Sequence, residues 1–267
     1  MSGHHGGGVD LLAVLGPLVG LLALLAYGLL VVSANRRGRS WRRGRALSWV
    51  AGCLVGTAAV TGPLASVAAT SWTAHMVGHV LLGMLAPLLL VLGAPVTLAL
   101  NALPTANARQ LSRVLRSRPL RVLTEPGVAA ALSVGGLWLL YATPLIEVAH
   151  ARPVVNVLVH AHVLLAGYLV TAVLVGPDPL PHRRGTWHLL VVLALALAAH
   201  DVLAKRLYAG AGGVDPLDEQ RGALVMYYGG DAVDLVLAAL VCLRWYRSGQ
   251  RQLDLERART RPQGVLG

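Results

Sequence analysis

Seven runs of mostly apolar residues dominate this 267-residue chain, at about 10–33, 46–68, 76–100, 127–149, 154–175, 187–207 and 222–245. Each is long enough to cross a hydrocarbon core of roughly 30 Å as a helix, which takes about 20 residues. Backbone N–H and C=O groups find no water in lipid, so such runs must close their hydrogen bonds internally. The expected fold class is therefore all-α: a polytopic membrane protein built as a seven-helix bundle. The transmembrane domain is expected to occupy residues 1–248 and a basic cytoplasmic tail residues 249–267.

Charge decides the topology. Only 13% of residues are charged, against roughly 25% in soluble domains, and the net charge is +11. The basic residues lie between the apolar runs, so they report orientation rather than an affinity for nucleic acid. The first, third and fifth loops and the C-terminal region hold 19 of the 23 Lys and Arg, and the opposite side holds Arg152, Lys205, Arg206 and Arg221. That asymmetry predicts an odd number of spans, with the N-terminus outside and the C-terminus in the cytoplasm. The first run, Val9 to Val32, lacks a basic segment before it and is followed by an arginine cluster, so it is expected to be a retained span rather than a signal peptide. Cys53 and Cys242 each sit within an apolar run, make no metal-binding spacing and are expected to be structural.

With this orientation, helix rise places the polar membrane residues at one level. His75 and His79 open the third run at i, i+4 and share a face, about 6 Å apart along the axis. Glu147 and His150 close the fourth. Asn156, His160 and His162 lie in the first turns of the fifth, His200 and Asp201 about 10 Å inside the end of the sixth, and Asp231 and Asp234 about three turns into the seventh. All fall in the outer half of the membrane. Each charged group there costs about 2.5–3.5 kcal/mol on insertion and needs a partner or a purpose. Asn156, His160, Gly167 and Thr171 share one face of the fifth helix. His162 points roughly 200° from His160, which favours His160 as the inward residue. Tyr227, Asp231 and Asp234 share a face of the seventh. Isolated membrane histidines commonly serve as hydrogen-bonded packing residues; His4 and His5 are read as incidental members of an N-terminal tail, and His182 and His188 as residues of the cytoplasmic end without a site role.

Clustered imidazoles and a carboxylate suit a first-row transition metal. The expected metal-contacting residues are His75, His79, His160 and His200, with Asp231 as ligand or orienting carboxylate. Met76, His162, His150 and Asp234 are weaker candidates. Thioether sulfur from Met76, Met84 or Met226 tilts the choice toward a copper ion, although methionine is commonly core filler. The same residues could instead form a proton relay or ligate a haem. The seventh run has no lysine, so a retinal Schiff base is excluded.

His75-Met-Val-Gly-His79, Met84-Leu-Ala-Pro87 and Leu92-Gly-Ala-Pro95-Val-Thr-Leu together resemble the signature of the CtaG-type cytochrome c oxidase assembly factors, the seven-helix proteins associated with caa(3)-type oxidases. His160-Ala-His162 with Ala166-Gly167-Tyr168-Leu169, Gly176-Pro-Asp178-Pro-Leu-Pro181, His200, Asp218-Glu-Gln and Gly230-Asp231 extend the resemblance across residues 45–250. It implies a multi-pass protein of the bacterial plasma membrane that acts without catalytic turnover in oxidase biogenesis. The implied partners are cytochrome c oxidase subunits or other assembly factors, besides the lipid bilayer, and the implied task is copper handling at the outer face. Two other classes remain in view: a copper or proton transporter, and a haem-binding membrane electron carrier.

Overall fold

The computed structural model describes residues 11–179, 184–210 and 215–260, and among these the chain is helical with no strand. The helices are α1 (Leu11–Arg36), α2 (Arg43–Val60), α3 (Gly62–Ala68), α4 (Trp72–Val80), a π-helical turn (Leu81–Leu85), α5 (Ala86–Leu92), α6 (Pro95–Ala102), α7 (Thr105–Leu115), α8 (Arg118–Leu123), α9 (Pro126–Ala142), α10 (Leu145–Ala151), α11 (Pro153–Val175), α12 (Thr186–Tyr208) and α13 (Pro216–Thr260). Six segments are long and apolar enough to cross a membrane: Leu11–Arg36, Arg43–Ala68, Trp72–Ala102, Pro153–Val175, Thr186–Tyr208 and Pro216–Arg247. The pair α9 and α10 makes a seventh if taken as one broken span. The outer surface agrees, since Leu18, Leu22, Leu25 and Leu29 on α1 are 48–71% exposed, a continuous apolar stripe that lipid would cover. The chain is a multi-pass membrane protein.

The breaks have local causes. Between α2 and α3, Thr61 is extended and Gly62 takes φ +71°, a left-handed conformation open to glycine, with Pro63 next to reset the helix. The third span breaks at Gly93-Ala94-Pro95, where Ala94 is left-handed (φ 52°, ψ 55°) and fully buried. A non-glycine residue there costs about 1–3 kcal/mol unless its surroundings hold it. They do: the Asp178 carboxylate accepts bonds from the Val96 amide (3.1 Å), the Thr97 amide (2.7 Å) and the Thr97 hydroxyl, capping α6, while the Tyr27 hydroxyl donates to the Gly93 carbonyl (2.8 Å).

The expected fourth span over 127–149 is made of two helices, bent at Pro144. α9 stops at Ala142, Thr143 is extended before Pro144, and α10 leaves at 80°. A residue preceding proline disfavours helical backbone, which is why the break falls there. Glu147 and His150 thus ride on a short crosspiece rather than on the end of the span. At the other extreme, α13 runs past the expected span and continues into the C-terminal region as far as Thr260. His4, His5 and His182 lie outside the described residues.

The segment from α4 through the π turn to α5 is central. α13 packs on α4 and on α12, α2 packs on α5, and α11 packs on the π turn, α5 and α9. Two apolar clusters flank its middle. One joins Trp72, Met76, Tyr141, Leu203 and Met226 at the histidine end, and the other joins Leu88, Leu174, Leu193 and Leu237 at the opposite end.

Candidate functional site

The start of α4 fixes the first histidines. The Ser71 hydroxyl oxygen accepts from the Ala74 amide (3.3 Å) in an ordinary N-cap. From the start of α13, the Asp218 carboxylate accepts from the Ser71 hydroxyl (3.1 Å), the Trp72 amide, the Thr73 amide (3.3 Å) and the Thr73 hydroxyl (2.7 Å). This second cap ties the depth and rotation of α4 to α13. One turn later His75 stacks on Trp72 (ring centroids 5.2 Å, 13° between planes), with its Nε2 3.1 Å from the Tyr141 hydroxyl. The His150 ring lies edge-on at 5.9 Å.

His79, one further turn along, stacks against His200 of α12 with centroids 6.3 Å apart and planes 20° from parallel. Two neighbours make room for His200. The Trp138 indole N–H donates to the Ala199 carbonyl (3.0 Å), joining α9 to α12, and a β-carbon on residue 230 would stand 2.6 Å from His200 Cε1, so Gly230 leaves the space its ring fills. His79 is 7% exposed and His200 4%. Among the described residues, His79 Nε2 and both ring nitrogens of His200 have no hydrogen-bond partner. Buried polar atoms are nearly always paired, so three orphans on two facing rings call for an explanation.

Two cavities of about 60 Å³ each meet at His79. One is lined by His75, His79, Tyr141 and His160; the other by His79, His200, Asp234, Thr171 and Met84. Each has room for a few small groups or waters. A larger apolar crevice of about 250 Å³ lies between α1, α2 and α11, and His160 forms part of its wall.

The sequence-derived candidates therefore separate. His75, His79, His160 and His200 all line this linked pair of cavities. His162 does not: its Nε2 lies 3.1 Å from the Leu132 carbonyl oxygen, against α9, on the side opposite His160. Met76 is fully buried in the apolar cluster with Trp72, Tyr141 and Met226. The carboxylate lining the His200 cavity belongs to Asp234, while Asp231 lies within electrostatic reach of His200, Asp201 and Asp234. Among the described residues, no three His, Cys, Asp or Glu side chains stand together at metal-binding geometry. Tyr141, which holds His75, was not singled out from the sequence, because a tyrosine near the end of an apolar run reads as an interfacial anchor. His188 makes a contact the sequence reading did not anticipate, 3.2 Å from Glu125 at the start of α9.

Residues 25–248 match the model of the cytochrome c oxidase caa3 assembly factor family. The chain belongs to this family. Similar proteins include uncharacterized proteins of Mycobacterium bovis and Mycobacterium tuberculosis, each 33% identical over 171 residues, covering 61% of this chain and 26% of the relative. An uncharacterized protein of Mycobacterium leprae is 31% identical over 176 residues, covering 62% of this chain and 27% of the relative. The chain thus spans about a quarter of the length of these relatives. No solved structure matches. Within this assembly-factor family, several motif residues of the chain find structural work here: the Gly-Ala-Pro block is the left-handed break capped by Asp178, and Asp218 caps the helix that carries His75 and His79.

Proposed function

We propose that this protein serves the biogenesis of cytochrome c oxidase by holding a copper ion as cargo at the His79–His200 pair, near the extracytoplasmic surface, without catalytic turnover. The observation that carries the reading is the pair itself: two buried, facing imidazoles whose three free nitrogens have no protein partner. Imidazole nitrogen is a good donor to copper. The unpaired atoms therefore fit the ion, and His79 and His200 would hold it. His75 and His160 line the cavity on the near side of His79, and Asp234 and Thr171 line the far one. His79 is common to both, so it is the residue through which cargo entering one cavity would reach the other.

The competing readings fare less well on space and continuity. A transporter needs polar groups continuing to the opposite face, whereas Leu88, Leu174, Leu193 and Leu237 close that end. A haem needs a pocket on the scale of ~300–1,000 Å³, far above the 60 Å³ on either side of His79.

The test is metal analysis of purified full-length protein loaded with Cu(I) and passed over a competing chelator. Wild type is expected to retain copper, and His79→Ala and His200→Ala to lose it by more than about tenfold, since even an outer-shell partner of a metal ligand costs about that much. Equal copper in all three proteins overturns the proposal.

A further inference from the structure

The loop between α6 and α9 carries a feature unrelated to the histidines. Residues 103–124 contain five arginines and no Asp or Glu. On α7 and its C-cap, Ala108, Arg109, Ser112, Arg113 and Arg116 recur at alternating spacings of one and three, which is one face of a helix. That face looks across an open groove of about 770 Å³ toward Ser117 and Arg118, at the start of α8. The four arginines of the groove are exposed. Among the described residues none of them makes an ion pair, and no acidic side chain lines the groove. The nearest carboxylate in sequence, Glu125, is engaged by the Val128 amide and by His188.

We propose that Arg109, Arg113, Arg116 and Arg118 bind the phosphate headgroup of an anionic phospholipid. Three observations select lipid over other anions. The segment is tied at both ends to spans, starting just after Ala102 and ending at Pro126, so it is held at the membrane surface. Its flanks expose Val114 (52%), Val122 (59%) and Leu123 (40%), apolar groups suited to the acyl boundary beside a headgroup. The charge is uncompensated, and clustered arginines next to a span attract anionic lipid, with guanidinium forks matching phosphate oxygens. Ser112 and Ser117 add hydroxyl donors between the arginines.

The full chain would be purified in mild detergent, washed with phosphatidylcholine, and titrated with phosphatidylglycerol while bound lipid is counted by native mass spectrometry. The Arg113→Gln/Arg116→Gln variant is expected to bind phosphatidylglycerol about thirtyfold more weakly, as two lost charge contacts imply. The charge-matched control Arg42→Gln/Arg43→Gln, in a separate basic cluster outside the groove, is expected to lose much less. Should the first variant fail to fold, Arg109→Gln/Arg118→Gln removes one arginine from each side of the same groove. Unchanged binding in the folded groove variant overturns the proposal, as does an equal loss in the control. Displacement of the lipid by millimolar inorganic phosphate would make this a free-anion site, and displacement by an acidic peptide of a co-purifying protein would make it a protein interface. Either result overturns it.

Discussion

A β-carbon on Gly167 would stand 2.0 Å from the carbonyl oxygen of Gly83. Helix α11 therefore meets the π turn backbone to backbone at Gly167, where a side chain would not fit. His160 lies two turns earlier on that same face of α11, lining the cavity with His75 and His79. Gly167→Ala is expected to push α11 outward and destabilise the protein by about 1–3 kcal/mol, the scale of an overpacked core. A lowered midpoint of thermal unfolding in detergent, beside an unlowered one in Gly135→Ala where nothing lies within 4 Å, would register it.

Gly230→Ala acts on the proposed site rather than the fold. The added methyl would fall 2.6 Å from His200 Cε1, at the end of a side chain able to rotate away. Rotation separates the ring from His79. Copper retention is expected to fall toward the level of His200→Ala while the unfolding midpoint changes little. Full retention would show that the stacking of the two rings is not what holds the ion.

Asp178→Ala removes the acceptor for two amides and one hydroxyl at the start of α6 and leaves Ala94 in its left-handed conformation without that support. A loss of about 1–2 kcal/mol is expected, at the upper end for N-caps. Asp178→Asn keeps an acceptor oxygen and should lose less. Thermal unfolding of the two variants side by side separates the contributions of shape and charge.

Glu125 supplies a pH dependence outside the spans. Partial burial works against its charged form, but the Val128 amide, the His188 ring and the Gly127 amide outweigh that and hold its pKa below the ordinary value of 4.5. A carboxylate lowered by folding stabilises the native state above its unfolded pKa, and the contribution disappears as pH falls through the folded value. Stability should therefore be flat in Glu125 above about pH 5 and decline below 4.5. Glu125→Gln should remove that part of the acid decline, seen as a smaller drop in unfolding midpoint between pH 5.5 and pH 3.5.

Much of this architecture could be read from residue order alone. Six of the seven apolar runs fall on single segments long and apolar enough to cross a membrane, and the fourth falls on the bent pair α9 and α10, because hydropathy over about 20 positions is set by the bilayer and not by tertiary detail. The two-residue offset of His160 and His162 also translated directly into opposite directions, one toward the cavity and one toward Leu132. What residue order leaves open is local. Pro144 is one of several prolines in or near spans, and nothing in its neighbours distinguishes an 80° bend from a mild kink. Asp231 and Asp234 are one turn apart on one face, so depth could not say which of them lines the cavity with His200. The π turn at Leu81–Leu85 has no sequence signature, since it depends on the approach of α11.

Asp178 and Asp218 grip opposite ends of a single membrane segment, Trp72–Ala102, from two connections far away in the chain. The segment that carries His75 and His79 is in this sense a beam clamped at both supports. It cannot slide along its axis or turn about it without releasing one clamp, so the histidines hold their height against α12. Any partner that tugs on the first turn of α13 would transmit that pull straight to His75 and His79, whereas a pull on the connection after α11 reaches them only through the left-handed break at Ala94 and the π turn.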